Sequence, residues 1–379
     1  MLTFTLASDS AMPGHPDKLC DRISDAIVDA CLCEGPRQPV NAECAVASGV
    51  VFLAIRHAGV LSSDPAAIAR REIAATGFPE GVFPAERTTV MVDATRDDAM
   101  SGPDAAAVDG LATVFGYATN ATPDGLPSSL RAAHALTRAL DAARRDGRAP
   151  WLSPDGRAQA ALDFAARRVR RLRAVALRLG ATSGAAPGDP AAVIGETVIA
   201  PALAEAGLSA DGETLISVSV EPGGRGPRAH PGLTGRKTAD DSYGGLVRHS
   251  ASALSGKDPA RAERVGSYAA RHAALSVVAA GLAEECEVQL CYAPGAPAPL
   301  SVDIDLFGSG VAPDAEIAAR VRAAFDFRPE AVAERFDLWS LPERRGGRFY
   351  ADLACFGQMG RRDVDAPWET PDLAALTDR

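Results

Sequence analysis

The residues best suited to chemistry in this chain sit at glycine-rich turns, and the first of them is Gly14-His15-Pro16-Asp17-Lys18. It places an imidazole, a carboxylate and an ammonium where the apolar spacing of Leu19, Ile23, Ala26, Ile27 and Ala30 begins a helix. Pro16 suits a first helical turn, where its missing N–H leaves no carbonyl unpaired, and a helix N-terminus favours anions. His15 is a candidate to act on a reacting oxygen, Asp17 to hold a divalent ion and Lys18 to meet phosphate oxygens. Three more such turns follow, PDGR at 154–157, GLTGRK at 232–237 and GKDPARAER at 256–264. Gly235-Arg236-Lys237 joins a bidentate guanidinium to a point-charge ammonium, a natural phosphate clamp. Lys257 and Arg261 read as one face of a helix that opens after Ser255-Gly256-Lys257-Asp258, with Glu263 near enough to hold a metal bridging the same anion. Together the turns supply Lys18, Arg157, Arg225, Arg236, Lys237, Lys257 and Arg261 against two metal carboxylates, Asp17 and Glu263. So many cations are costly to leave unpaired, which points to a polyphosphate. No Walker A pattern or protein-kinase loop is present, so the phosphate chemistry is of another kind.

The elements that must position these turns alternate along the chain. Segment 40–56 is strand-like, with Glu43 near its start and Arg56-His57 at its far end. Residues 61–75 read as a helix capped by Ser62 or Ser63, and 88–92 as a strand before a polar, Asp-rich connection at 93–109. A helix is expected at 126–145 and a hairpin at 158–179, whose arginine run 167–173 reads as a solvated or anion-facing strand surface. A Gly/Pro/Ala-rich connection at 180–190 leads to a strand at 214–220 and a glycine-rich loop at 222–235. A long helix at 259–283 and strands at 286–292 and 300–306 complete the order. Strands and helices repeat about three times, which suits α+β domains, each with a sheet covered by helices on one face. The expected boundaries are 1–104, 105–221 and 222–379.

A chain of 379 residues exceeds what one hydrophobic core serves. Its net charge of -10 argues against a general nucleic-acid or membrane-surface binder. No apolar run approaches the length needed to span a bilayer, and the start, Met1-Leu2-Thr3-Phe4-Thr5, carries no secretory pattern. Seven cysteines, an odd number without a Cys-x-x-Cys pair, argue against a disulfide framework or a zinc site. A cytoplasmic location is the expectation.

Over nearly its whole length the chain resembles the S-adenosylmethionine synthetases (methionine adenosyltransferases). The matching stretches are GHPDKLCDRISDAIVDA (14–30), FGYATN (115–120), PWLSPDGRAQ (150–159), GLTGRK (232–237), DDSYGG (240–245), SGKDPARAER (255–264) and FGQMGR (356–361). The resemblance implies three similar βαβ-type α+β domains around a pseudo-threefold axis. It also implies a homodimer, often a dimer of dimers, with active sites between subunits. In that family methionine sulfur attacks C5′ of ATP, and the triphosphate released is split to pyrophosphate and phosphate with Mg²⁺ and K⁺ assisting. By resemblance His15 assists departure of the triphosphate and Arg236 and Lys257 match residues that hold it; with Lys18, read from its own turn, they make the expected catalytic set. Asp17 and Glu263 would bind Mg²⁺, and Glu43 matches the K⁺-site glutamate. Asp155 matches a nucleoside-contacting aspartate. Arg157, Arg225, Lys237 and Ala253 fall at other nucleotide-binding positions.

The chain departs from the family at the acceptor. Arg56 stands where a glutamate binds the α-ammonium of methionine, and His230 stands at a second ammonium-binding aspartate. Arg261 replaces an acceptor-contacting lysine, Pro294 an isoleucine of the side-chain pocket, and Ser101 a glutamine of the mobile loop. An ammonium ~4 Å from a cation rather than a carboxylate is disfavoured by roughly 4 kcal/mol at an effective dielectric near 20. The leading expectation is therefore an adenosyltransferase that uses an acceptor other than plain L-methionine. The alternatives are an ordinary S-adenosylmethionine synthetase and a catalytically weak nucleotide-binding partner subunit.

Overall fold

Three β-sheets, each covered on one face by a long helix, carry the turns singled out above. The computed structural model describes residues 3–35, 37–79, 81–101, 110–182 and 186–377. The first segment supplies β1 (Thr3–Ala11), α1 (Pro16–Glu34), β2 (Val40–Ala47), β3 (Val50–His57), α2 (Pro65–Thr76) and β4 (Thr89–Arg96). The middle supplies β5 (Ala112–Thr119), α3 (Ser128–Arg145), the hairpin β6 (Leu152–Ala165) and β7 (Arg168–Ala181), short helices α4 (Pro190–Ile194) and α5 (Ala200–Glu205), and β8 (Leu215–Pro222). Then come β9 (Gly232–Leu233), α6 (Thr238–Asp241), α7 (Ala262–Ala279), β10 (Glu285–Tyr292), β11 (Ser301–Asp305) and α8 (Asp314–Ala324).

The strand orders are β1-β6-β7-β8, β11-β10-β5 and β4-β3-β2-β9. Each sheet takes a strand from a neighbouring segment of the chain: β1 pairs with β6, β5 with β10, and β9 with β2. In the sheet containing β2 and β3, alternation sends Val40, Ala42, Cys44, Val46, Val51, Leu53 and Ile55 inward under Leu19, Ile23 and Ile27 of α1. The other face stays open, with Val50, Phe52 and Met91 at least 40% exposed.

Helix α1 does more than cover a sheet. Asp17, Asp21, Asp25 and Asp29 recur every four residues and so share one helical face. Each accepts backbone N–H groups from a distant segment that would otherwise be left unpaired. Leu233 donates to Asp17 (3.1 Å), Gly235 to Asp21 (2.8 Å) and Gly256 to Asp25 (2.8 Å). Phe349, Tyr350 and Ala351 donate to Asp29 at 3.1, 2.9 and 3.0 Å. This acidic stripe holds the 232–237 and 256–258 turns against the helix that begins at His15.

Gly232 allows the closest of these approaches. A Cβ there would lie 2.2 Å from the Pro16 carbonyl carbon, a backbone atom that cannot turn aside. Gly232→Ala is expected to push β9 off the start of α1, costing about 1–3 kcal/mol, the range for overpacking. The denaturation midpoint against that of Gly188→Ala, where a Cβ meets open space, measures it.

Several local expectations need correction. Helix α2 is capped by Asp64, whose carboxylate accepts from Ala66, while Ser62 and Ser63 donate their backbone N–H groups to Glu34. The helix expected at 259–283 is α7 at 262–279, because Asp258 turns the chain by accepting from Ala260 and Val40. Lys257 therefore precedes the helix, and Arg261 is its N-cap residue. Residues 93–96 continue β4, parallel to β3, and 102–109 of the polar connection lie outside the described residues. In the arginine run, Arg167 and Arg168 pair with Glu285 and Glu284, and Arg171 pairs with Asp211 and Glu213.

Candidate active site

Three segments converge beside the N-terminus of α1: the turn before it, the start of β6, and the loop from β8 to α6. The turn is fastened to β6 by hydrogen bonds from Met12 to the Gly156 carbonyl (2.9 Å) and from Gly14 to the Pro154 carbonyl (3.1 Å). Between the segments lies a cavity of about 340 Å³ lined by His15, Asp17, Arg157, Arg225, His230, Arg236 and Lys237 among others. Arg178 and Glu221 also line it and were not anticipated. The signal for Arg178 was the hairpin itself, which sets it directly opposite Arg157. Five cationic side chains thus line the cavity against two lining carboxylates, Asp17 and Glu221, while Asp9 and Asp155 pair with Arg157 and Arg225 from its edge. That imbalance suits a polyanion.

His15 caps α1, its Nδ1 accepting the Asp17 N–H at 3.2 Å. The proton of the neutral ring is therefore on Nε2. Burial lowers its pKa to about 3; Lys237 and His230 push the same way, while Asp155 and Asp17 oppose. At neutral pH it is an uncharged hydrogen-bond donor. Asp17 Oδ2 holds Lys237 Nζ at 2.5 Å, and Arg236 lies 3.9 Å from its other oxygen. Burial by itself would raise the Asp17 pKa, but the bond and charge of Lys237 outweigh it, so the carboxylate is held below its usual range. Arg236, about half exposed, keeps its guanidinium available to an entering ligand.

Asp155 is wholly buried behind the wall, not on it. One carboxylate oxygen accepts from Gly226 N (2.8 Å) and from His230 Nε2 (3.1 Å) and lies 3.4 Å from Arg225 Nε. Among the described residues its other oxygen has no hydrogen-bond partner. Burial works to raise its pKa; the His230 bond, the His15 ring and the Gly226 N–H reverse this and leave it ionised. Asp155 orients His230, whose ring lies 4.8 Å from that of His15. Arg157 bonds Asp9 at 2.6 Å from the rim, and Arg225, at φ +49°, pairs with Glu221. Ala253 packs on Gly235 and so backs the Arg236-Lys237 turn.

Lys18 does not meet the cavity. It is fully buried, with Nζ 2.9 Å from Asp21 and 2.5 Å from Asp241. Burial alone would lower its pKa, but Asp21, Asp241 and Asp240 hold it well above the ordinary value. The expected catalytic role is corrected to an internal ion pair, because side chains one residue apart on a helix point about 100° apart.

The remaining expected residues gather elsewhere. Lys257 pairs with Glu263 at 3.1 Å and forms a bridge to Asn41, which lies opposite Arg56. Glu263 is therefore not brought to Asp17 within one chain. Glu43 is exposed on the open face of β2, and Pro294 is exposed in the turn after β10. Arg261 lies 3.9 Å from Asp258. The side chain of Ser101 lies outside the described residues. Arg56 does not line the cavity and is paired with Asp97, so a bare cation at the acceptor corner is not what the fold presents. His230 does face the cavity, but beside an ionised carboxylate.

Among the described residues, His15, Asp155 and His230 have donor atoms close enough together to hold a metal ion. Arg225 and Lys237 beside them make the place unfavourable for a free cation. Asp17 is the better oxygen ligand for Mg²⁺, which takes one or two carboxylates and completes its shell with substrate phosphates and water. No helix among the described residues is long and apolar enough to cross a membrane.

Comparison with known proteins agrees along the whole chain. Models of the N-terminal, central and C-terminal domains of S-adenosylmethionine synthetase match residues 3–98, 105–225 and 224–370. A Gloeobacter violaceus protein called S-adenosylmethionine synthase is 37% identical, covering 99% of this chain and 97% of its own length. Proteins of the same name from Synechococcus sp. (strain JA-3-3Ab) and Trichormus variabilis are each 36% identical over 98% of this chain, and 96% and 95% of their own lengths.

Proposed function

The chain belongs to the S-adenosylmethionine synthetase family, and we propose that it transfers the 5′-deoxyadenosyl group of ATP to the sulfur of L-methionine. The names of its relatives support this reading better than the expectation of another acceptor. The observation that carries it is the cavity in which five cations meet a neutral, hydrogen-bond-donating His15. In the reaction the C5′–O bond breaks as the S–C5′ bond forms. The electron pair leaves on the triphosphate, and the sulfur becomes a sulfonium. The protein needs no nucleophile of its own; it must align the reactants and neutralise the leaving group. His15 Nε2–H would donate to the departing oxygen, and Arg236 and Lys237 would hold the phosphates. Asp17 would hold Mg²⁺, which supplies charge neutralisation on those oxygens. Glu43 offers a carboxylate for K⁺.

The second cluster, Lys257, Glu263, Arg56 and Arg261, sits beside the open sheet face that exposes Val50, Phe52 and Met91. A homodimer closing over this face would cover the apolar patch and bring the cluster to a second chain's cavity.

The sequence departures at Arg56 and His230 motivate one second reading, an acceptor carrying an anion where methionine has its ammonium, against which Asp97 and Asp155 answer both side chains. Incubating the protein with ATP, Mg²⁺ and K⁺ separates the two. L-methionine is expected to give S-adenosylmethionine, pyrophosphate and phosphate. Turnover with other thioethers, thiols or carboxylates but not with L-methionine overturns the proposal in favour of the second reading.

A further inference from the structure

Behind the catalytic turn lies a second cavity, of about 430 Å³, between α1, α3 and the segment 348–364. Five arginines line it: Arg22, Arg138, Arg145, Arg348 and Arg361. Four of them are matched by carboxylates. Arg22 and Arg348 share Glu72 (2.9 and 2.6 Å), and Arg348 also reaches Asp352 (2.5 Å). Arg145 bonds Asp141 at 2.8 Å, an acid that Arg144 also uses at 2.8 Å. Arg361 bonds Asp363 at 2.8 Å and spends its remaining donors on backbone carbonyls of Asp352, Leu353, Cys355 and Gly357.

Arg138 is different. Among the described residues no carboxylate lies within ion-pair distance of it. It approaches the Phe356 carbonyl at 3.5 Å and lies 5.7 Å from the centre of the Phe356 ring. Five guanidinium groups thus face four acids, one of them shared outward, and the least satisfied cation lies in the cavity wall. Half-buried, and with Asp363, Glu205 and Asp124 acting on it only through space, Arg138 keeps donors for an entering anion, and guanidinium forks match phosphate oxygens.

We propose that this cavity is an anion-binding site for phosphate or pyrophosphate, with Arg138 as its anchor. It is separate from the nucleotide cavity and stands back to back with it. Pro13 lines the one and His15 the other, with Gly14 between them. The inference rests on the charge count and geometry of the second cavity and does not depend on the proposed reaction.

The test is calorimetric titration of the full chain with inorganic pyrophosphate, in variants that remove the first cavity's grip. Lys237→Met is expected to retain one pyrophosphate site per chain. Adding Arg138→Gln should weaken that site at least tenfold, while thermal unfolding without pyrophosphate stays unchanged. Adding Asp363→Asn instead should tighten it about threefold by freeing Arg361, a gain that misfolding cannot imitate. No site in Lys237→Met, equal affinity after Arg138→Gln, or no tightening after Asp363→Asn overturns the assignment.

Discussion

Replacing His15 with asparagine is expected to lower kcat by about 10²–10³-fold with little change in the KM for ATP, the usual loss when one donor to a developing anion is removed. The substitution separates two roles of the ring. Asparagine is a good helix cap and can accept the Asp17 N–H as Nδ1 does. It cannot extend a donor to where Nε2–H reaches. A merely structural histidine would lose stability with kcat intact, so steady-state kinetics beside a denaturation curve decides between them.

The same residue predicts a pH dependence. His15, with a folded pKa of about 3, and His272, lowered to about 4 by burial and by Arg335, both remain neutral when folded near pH 5. In the unfolded chain they take up protons below pH 6.5. The stability they contribute is therefore full above pH 6.5 and is lost as pH falls toward the folded values. By pH 5 the loss is roughly 2 kcal/mol for each residue. His15→Asn should remove one of these increments, which denaturant midpoints at pH 7.5 and 5 would reveal. No ionisation of His15 should shape the kcat profile between pH 5 and 8.

Arg264→Met is expected to cost about 3–5 kcal/mol, the range for stripping one partner from a buried ion pair. Arg264 is fully buried, with Nη1 2.9 Å and Nη2 3.0 Å from the Asp25 carboxylate, and it also donates to Tyr268 (3.0 Å) and the Lys257 carbonyl (2.6 Å). Burial alone would lower its pKa, but Asp25 holds the guanidinium charged beyond doubt of deprotonation. Removing it strands Asp25, which also fastens the Gly256 N–H, so the turn carrying Lys257 loses its anchor to α1. Denaturant unfolding of Arg264→Met and of Asp25→Asn/Arg264→Met checks this, since the double variant should recover part of the loss. By contrast, breaking the exposed Arg168–Glu284 pair should change stability by less than about 1 kcal/mol.

Much of the site was legible in the chain because the relevant signals are local. Pro16 after His15 marks a helix start, and glycine beside arginine and lysine at 232–237 marks a turn that presents cations. The order of strands and helices also fixes the α+β class. The four aspartates of α1 were equally visible at a spacing of four. Their partners, at 233, 235, 256 and 349–351, were not, because hydrogen bonds between distant segments leave no periodic trace.

Sequence alone therefore determined which residue types stand at the turns, and their charges pointed to a polyanion. Tertiary structure decided which of those charges remain available. It withdrew Lys18 into a buried pair with Asp21 and Asp241, answered Arg56 with Asp97, and set His230 against Asp155. The reason is that a charge's effect depends on what lies within a few ångströms and on its exposure to water. Both are fixed by how distant segments pack.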